Sequence, residues 1–335
     1  TNREMLSGDA SSYNLRDKLS FSGVFEAESD HRKVNGELSS SGITVATVEL
    51  SMQAALNSRV SSEIVLLYED GDTRFATDIA VIHFSIDPSL NNKSATTTLT
   101  VGRTYLPFGT FESNMVNDTL ILALAETNKT VVTFGADYEV GSGSSKVTSQ
   151  LYAYNSDTAL SVDDSFGLRF AYETDAANFG VDYVSNIIDS GGFTEFLEDS
   201  LGAEYEHLDS AIGAVALHAQ YQIKQLTLLG EAISISRIGA DNTADATLTN
   251  QNIKAYQFEM AYEYARFGLA LAIQTSHDGA FIGLPKNRLS FAGHTTLFDE
   301  ASIALELSVD EDYSLNSGGT SDNTLGALMQ FGLEF

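Results

Sequence analysis

The last twelve residues, 324–335, constrain the fold of this chain more than any other stretch. Counted back from the carboxy-terminus in steps of two, every residue is apolar, and the residues between them are mostly small or polar. The apolar set is Phe335, Leu333, Phe331, Met329, Ala327 and Leu325. A period of two predicts a β-strand with one apolar face, and the chain stops on that strand.

A strand of this kind is difficult to place at the edge of a soluble sheet, because its exposed edge invites aggregation. A transmembrane barrel removes the edge by pairing its last strand with its first. The sequence therefore favours a transmembrane β-barrel, and the last strand of a soluble sandwich is the alternative. We expect Phe335, Leu333 and Phe331 to take part in membrane assembly through the outer-membrane assembly machinery.

Composition excludes several other classes of protein. The chain carries 46 acidic and 18 basic residues, a net charge of −28, and nucleic-acid binding requires a basic surface. There is no cysteine, which excludes a disulfide framework and thiolate metal sites. No apolar run approaches the ~18 residues that a membrane helix needs. A barrel strand remains possible because only every second residue must face lipid.

The same alternation recurs along the chain from Leu19 onwards. Polar positions separate outward apolar sets that include Val132/Phe134/Ala136/Tyr138, Val215/Leu217/Ala219/Tyr221, Tyr256/Phe258/Met260/Tyr262/Tyr264 and Phe75/Thr77/Ile79/Val81. Long polar connections alternate with short turns. Long extracellular loops and short periplasmic turns are the arrangement of outer-membrane barrels.

Residues 1–17 are polar and predict a short periplasmic lead, and residues 18–335 predict the barrel. The start at Thr1-Asn2-Arg3-Glu4 is not a signal peptide. We therefore expect a mature exported chain in the bacterial outer membrane, in contact with membrane lipid and lipopolysaccharide.

The number of strands depends on residues 106–127. Counting 118–126 as a strand gives seventeen, although bacterial single-chain barrels have even numbers. Treating 106–127 as one long third loop, folded inward, gives an all-β, sixteen-stranded antiparallel barrel. Pro107 breaks the preceding strand, and Phe108 and Phe111 are expected to anchor this loop on the barrel wall.

Function is expected on the lumen face, where acidic positions outnumber basic ones. Rings of carboxylates attract cations, so the sequence predicts a cation preference, unless the acids are paired or lie outside the constriction. The residues expected to line the pore or its constriction are Glu112, Asp118, Glu126, Arg59, Glu63, Arg74, Asp78, Arg169, Glu259 and Arg288.

No catalytic site or cofactor site is predicted. The six histidines show no metal-ligand spacing, and His83 has outward parity near a strand end. Acidic loop segments such as Asp163-Asp164 either hold divalent cations or are simply solvated. The sequence therefore predicts neither an enzyme nor a resident metal or cofactor.

The most distinctive motif follows the fifth predicted strand. It reads Val101-Gly102-Arg103-Thr104-Tyr105-Leu106-Pro107-Phe108-Gly109, then Phe111-Glu112, and then Asp118 before a leucine-rich segment that ends in Glu126-Thr127. This stretch resembles the LbtU-type siderophore-porin family. The resemblance implies an outer-membrane barrel that takes up ferric siderophore without a plug domain.

Three functions remain open from sequence. The first is a porin for passive diffusion of small hydrophilic solutes with a cation preference, and the second is a selective channel for ferric siderophore. The third is an adhesin or structural barrel. Small outward residues near the start, Gly23/Ala27 and Ala46/Ala54, hint at a subunit interface, and a homotrimer is possible.

Overall fold

The chain folds as a closed antiparallel barrel of sixteen strands, as predicted. The computed structural model describes residues 18–36, 38–69, 75–86, 95–141, 145–156, 165–194, 211–237 and 251–335. The predicted lead at 1–17, the residue Arg74 and the pair Asp163-Asp164 lie outside the described residues. The strands are β1 (Leu19–Val34), β2 (Ser40–Asn57), β3 (Val60–Glu69), β4 (Ala76–Ile86), β5 (Ala95–Tyr105), β6 (Asn128–Val140), β7 (Ser145–Tyr154), β8 (Phe166–Thr174), β9 (Ala177–Val184), β10 (Ala214–Ile223), β11 (Leu226–Ile235), β12 (Lys254–Tyr264), β13 (Phe267–His277), β14 (Asn287–Phe298), β15 (Ala301–Glu311) and β16 (Asn323–Glu334).

The carboxy-terminal strand closes the barrel. β16 pairs with β15 on one side and with β1 on the other, so that Phe25 lies opposite Leu333 and Ala27 opposite Phe331. The last residue takes part in the closure, because Phe335 donates its N–H to the carbonyl of Gly23 and accepts the N–H of Gly23. The sheet therefore has no free edge at the junction of its first and last strands.

The two faces of the wall differ as the alternation requires. The outward face carries large apolar side chains, such as Phe258 (53% exposed), Leu271 and Phe291. Most of the strands carry such residues at every second position. This is the apolar band by which a barrel meets lipid. No helix among the described residues is long and apolar enough to cross a membrane.

A β-bulge at Asp78 changes the faces predicted for β4. Val65 pairs with Ile79 but Leu66 pairs with Thr77, so Asp78 is an extra residue that has no partner on β3. Beyond it the alternation reverses. Val81, predicted to face outward, is buried in the interior. His83, also predicted to face outward, contacts Thr100 through Nδ1 at 2.8 Å and borders the lumen.

From β5 onwards the connections alternate in length, and the longer set lies at one end of the barrel. Turns of two residues join β2 to β3, β8 to β9, β10 to β11, β12 to β13 and β14 to β15. At the opposite end are loop 3 (106–127), the described parts of loop 5 (185–194 and 211–213), loop 7 (278–286) and loop 8 (312–322). Short 3₁₀ helices lie in loop 7 (Ala280–Ile282) and in loop 8 (Leu315–Ser317).

Loop 3 contains the helix α1 (Leu120–Ala125), in the segment that could have been mistaken for a seventeenth strand. Thr119 caps it, because its side chain accepts the N–H of Leu122 at 3.1 Å. The helix packs inside the barrel in a cluster of buried apolar side chains, which we call the interior cluster. Its members are Leu106, Phe108, Leu120, Ile121, Leu124, Ala125, Val131, Tyr152, Tyr154, Val184, Ile187, Ile188, Phe193, Ile212, Ala214, Ala216, Ile233, Ile235, Ile253, Ala255 and Leu284.

The outward band predicts a depth-dependent response to charge. Replacing Phe258 in the middle of β12 with arginine should destabilise the folded barrel in lipid vesicles by about 2–4 kcal/mol, because the guanidinium would face hydrocarbon. The matched control is Thr47→Arg on the lumen face of β2, opposite Glu26. It should lower the free energy of unfolding far less. Urea unfolding in vesicles measures the unfolding free energy of both variants. Equal losses of stability would contradict the assignment of the outward and lumen faces.

Candidate functional site

The interior of the barrel is the candidate site, and loop 3 divides it. After β5, the chain turns inward at Leu106, and Phe108 enters the interior cluster with 2% of its side chain exposed. Gly109 has a φ of 76° and Phe111 a φ of 53°. A Cβ on Gly109 would lie 2.6 Å from the Phe111 ring and 3.0 Å from Oε1 of Glu231. A glycine at position 109 thus permits the loop to approach the wall closely.

Side chains of five wall strands accept hydrogen bonds from loop 3. The first two are on β9 and β11. Asp182 Oδ2 accepts the N–H of Gly109 at 2.9 Å. Glu231 accepts two successive backbone N–H groups, from Thr110 through Oε1 at 2.8 Å and from Phe111 through Oε2 at 3.0 Å. The carboxylates thereby satisfy amides that have no partner in a strand or helix.

The next contact comes from β12. Glu259 Oε1 accepts the backbone N–H of Asn114 at 2.9 Å and its side-chain amide at 2.6 Å. Its Oε2 accepts the hydroxyl of Ser113 at 2.7 Å. Hydrogen bonds to an ionised acceptor are stronger than those between neutral groups. Glu259 therefore holds the middle of the loop.

The last two contacts come from β15 and β13. Glu306 Oε2 accepts the N–H groups of Val116 and Asn117 at 2.7 and 2.8 Å. Gln274 Oε1 accepts the N–H of Leu120 at 2.7 Å, at the start of α1. We call Asp182, Glu231, Glu259, Gln274 and Glu306 the wall clamp. It fixes loop 3 against one side of the barrel from residue 109 to residue 120.

The clamp changes the interpretation of Glu259, which was expected to line the pore. Its side chain is 0% exposed, because loop 3 covers it completely. Asp182, Glu231 and Glu306 are likewise inward acids that loop 3 buries. These carboxylates are engaged with backbone N–H groups and do not face the open lumen.

The open part of the lumen lies towards β14–β16 and β1–β4. One cavity of about 590 Å³ is lined by loops 7 and 8 and by Arg32, Arg288 and Asp310. Arg288 binds Asp310 at 2.8 and 3.0 Å and donates to the carbonyl of Asp118 at 2.9 Å. Arg288 thus joins loop 3 to the open side. A second cavity of about 370 Å³, near the short turns, is lined by Glu63 and His83 among others.

Acidic side chains predominate on this open wall. On β1, Glu26, Glu28 and Asp30 occupy alternate positions opposite Gly332, Gln330 and Leu328. These positions alternate with Phe25 and Ala27, which lie on the outward face. On the neighbouring strands Glu49 and Glu63 lie on the same inward face, where Glu63 accepts the side-chain amide of Gln53 at 2.9 Å.

The remaining residues expected to line the pore are dispersed over the barrel. Arg59 lies in the turn between β2 and β3, far from loop 3. Asp78 accepts the Tyr105 hydroxyl at 3.0 Å and the side-chain amide of Asn128 at 2.7 Å, near the base of loop 3. Arg169 lies 3.6 Å from Asp182. The pore-lining role of these residues remains a prediction.

Three acids on loop 3 were also expected at the constriction. Glu112 and Asp118 are exposed within the barrel, and Glu126 follows α1. Burial raises the pKa of Glu126 to about 7, and the nearby Asp118, Glu69 and Asp78 add to the rise. The surrounding barrel wall and loop partly desolvate the Asp118 carboxyl and raise its pKa, and the positive charge of Arg288 opposes this rise. Glu126 therefore changes charge near neutral pH.

Sequence reasoning missed the interior cluster. Several inward positions near loop 3 are apolar, for example Val131, Tyr152 and Ile233, although a lumen face was expected to be polar. Phe108 belongs to the cluster and Phe111 packs against it, while Pro107 is only partly buried. Their role as anchors remains a prediction. The signal was available at Ile233 and Ile235, which share the inward parity of Glu231 and are apolar.

No group of three or more His, Asp or Glu side chains within the described ranges is arranged to hold a metal ion.

Removing the clamp should widen the pore. In the double variant E231A/E259A, loop 3 loses the acceptors for Thr110, Phe111, Ser113 and Asn114, each hydrogen bond to a charged group contributing about 1.5–3 kcal/mol. We expect single-channel conductance to rise roughly twofold or more as the loop detaches. The control is E263A, an inward acid on β12 that faces His294 at 3.4 Å and does not contact loop 3. Conductance equal to that of the control would contradict the clamp.

The raised pKa of Glu126 predicts a pH dependence. Below about pH 7 the carboxyl is neutral, and above it the carboxylate is negative. Cation selectivity of the wild type should therefore rise between about pH 6 and pH 8, over which such a group changes most of its charge. Glu126→Gln should flatten this rise. Reversal potentials in a salt gradient measure the cation selectivity at each pH. A pH profile in the variant identical to that of the wild type would refute the assignment of the change to Glu126.

Comparison with curated proteins finds UPF0422 proteins. The one from Coxiella burnetii (strain RSA 493 / Nine Mile phase I) is 23% identical over 329 residues, which cover 91% of this chain and 67% of that protein. The protein lpg2959 of Legionella pneumophila (strain Philadelphia 1) is 23% identical over 303 residues, covering 82% and 55%. The chain thus spans about half to two thirds of the length of these relatives. No protein-family model matches it.

Comparison with solved structures finds outer-membrane barrels. OmpF of Salmonella typhi has a TM-score of 0.63 at 13% identity and covers 95% of this chain and 97% of its own. The outer membrane channel DcaP of Acinetobacter baumannii has a TM-score of 0.62 at 11% identity, with coverage of 94% and 97%. OprB of Pseudomonas putida has a TM-score of 0.61 at 11% identity, with coverage of 96% and 95%. At these identities the likeness establishes that this chain has the porin-type barrel fold.

Proposed function

We propose that this chain is a channel of the bacterial outer membrane through which small hydrophilic solutes diffuse passively, with a preference for cations. The fold supports this proposal, since a sixteen-stranded barrel is wide enough to leave an aqueous lumen. Its likeness to DcaP, described as an outer membrane channel, supports the location. In the orientation usual for outer-membrane barrels, the long connections would be extracellular and the short turns periplasmic.

The observation that carries the proposal is the division of the lumen by loop 3. The wall clamp binds the loop to β9, β11–β13 and β15. Cavities remain along the opposite wall. A loop that is fixed inside a barrel narrows the path without closing it. Such a path admits small solutes and excludes large ones.

The cation preference rests on the inward acidic side chains that do not belong to the wall clamp. Glu26, Asp30, Glu49 and Glu63 lie on the open wall, and Arg32 is the basic residue among them on β1. In a narrow path between low-dielectric walls, unneutralised carboxylates attract counter-ions from solution. The buried clamp carboxylates are bound to amides and contribute less.

A second candidate function is selective uptake of ferric siderophore. It is favoured by the motif from Val101 to Thr127, which resembles that of the LbtU-type siderophore-porin family. Gly109, which ends the Pro-Phe-Gly segment of this motif, donates its N–H to Asp182, and this supports a role for the motif in holding loop 3 inside the barrel. In this case the ligand would pass along the open wall.

The membrane environment implies further partners. Lipid and lipopolysaccharide would contact the outward apolar band, and the assembly machinery would engage the strand that ends in Phe331, Leu333 and Phe335. A homotrimer is a possible assembly, and OmpT of Vibrio cholerae, which is similar in fold (TM-score 0.53), is described in a trimer form.

Planar-bilayer conductance in a salt gradient tests the proposal. We expect a large ohmic conductance and a cation-selective reversal potential. In E26Q/E49Q the permeability ratio of cations to anions should fall roughly twofold, because two lumen charges are lost. The control is Glu311→Gln at the end of β15, where the carboxylate binds Lys286 and Asn287 at the surface.

The outcomes separate the two candidates. An anion-selective reversal potential would show that the acids of β1–β3 do not govern permeation. Small open conductance with discrete blockade at micromolar ferric siderophore would favour selective uptake instead.

A further inference from the structure

The inner face of β1 carries an arginine among the acids of the open wall. Asp30 and Arg32 face inward, opposite Leu328 and Gly326 of β16, whereas Lys33 lies opposite Leu325, whose side chain is exposed on the outer face. Gly326, the partner of Arg32 on β16, has no side chain. A Cβ there would lie 2.5 Å from the hydroxyl of Ser308.

Arg32 borders two adjoining cavities. The cavity of about 590 Å³ includes Arg32, Asp322 and Thr324 and opens between loops 7 and 8. The other, of about 170 Å³, includes Asp30, Arg32 and Asn117 and extends towards loop 3. We call the two together the vestibule. The vestibule therefore extends from loops 7 and 8 to loop 3, which it meets at Asn117.

Three of the six aspartate and arginine side chains that line the vestibule are already engaged. Asp310 is bound to Arg288 through both oxygens. Asp312 accepts the backbone N–H and the hydroxyl of Thr320, both at 2.7 Å.

Three charged side chains remain for a solute. Among the described residues, the side chains of Arg32, Asp30 and Asp322 make no hydrogen bond and no ion pair. The vestibule thus presents free charges of both signs.

The spacing of the free charges indicates the chemistry of the ligand. Asp30 and Arg32 are two residues apart on the same face, so their Cα atoms are about 6.6 Å apart. A guanidinium binds a carboxylate with two parallel hydrogen bonds, and a carboxylate at this distance can accept an ammonium group from the same small molecule. A purely anionic solute would meet repulsion from Asp30 and Asp322, and a purely cationic one would meet it from Arg32.

We propose that the vestibule binds small zwitterionic solutes of the amino-acid and short-peptide class, with the carboxylate on Arg32 and the ammonium on Asp30. This inference rests on the proposed channel function, and it names the solutes that the channel retains at its mouth. Binding there raises the local concentration of such solutes at the entrance to the narrowed path.

Single-channel recording with three alanine derivatives tests the inference. The zwitterion alanyl-alanine, the anion N-acetylalanine and the cation alaninamide are added separately to the channel in potassium chloride. We expect saturable blockade by the zwitterion at concentrations at which the other two do not block. In R32Q and in D30N the half-blocking concentration of the zwitterion should rise about tenfold, the effect of losing 1.4 kcal/mol of binding.

The control is Lys33→Gln, the neighbouring basic residue on the outer face, which should leave the blockade unchanged. Heat-modifiable mobility on gels confirms that each variant is a folded barrel. Equal blockade by all three derivatives, or blockade that R32Q and D30N leave unaltered, would overturn the inference. The conductance in potassium chloride alone tests the channel function separately, so an open channel without zwitterion blockade refutes only the vestibule site.

Discussion

The satisfaction of backbone hydrogen bonds is the constraint on which the rest of this structure depends. In a bilayer no water is present to pair with a free strand edge, so a spanning sheet must close on itself. Here the closure is made by β1 and β16 and extends to Phe335, the last residue. Once the wall is closed, polar groups of loops and side chains can be accommodated only inside the barrel or at its two ends.

The same requirement explains how loop 3 is held. Its extended segment around residues 109–117 has few backbone partners of its own, and inward carboxylates of the wall supply the acceptors. Burying an ionised group is costly unless hydrogen bonds compensate. The amides of loop 3 and the acids of the wall therefore stabilise each other, because each group supplies the hydrogen-bond partner that the other lacks. As a result the inward acids fall into two groups, those buried under the loop and those left on the open wall.

Sequence alone predicts the strand number, the two faces and the inward third loop, because each leaves a period or a length in the chain. It does not predict the bulge at Asp78, since one extra residue reverses the faces of Ile79, Val81 and His83 without a marker such as glycine or proline. Alternation also places Glu259 and Glu63 on the same inward face. Only the path of loop 3 shows that Glu259 is covered by the loop and that Glu63 is not.

The interior cluster has a consequence for how such a protein can diverge. Strands β6, β7 and β9–β12 carry inward side chains whose volumes must fit α1 and loop 5, as in the core of a soluble domain. Strands β1–β4 and β14–β16 contribute no side chain to this cluster, although Glu306 on β15 holds loop 3. Substitutions on the open side of the barrel can therefore change its charge and shape while the filled side preserves the architecture. Chains of common descent can then differ widely in the chemistry of their open side and still share one packed interior cluster.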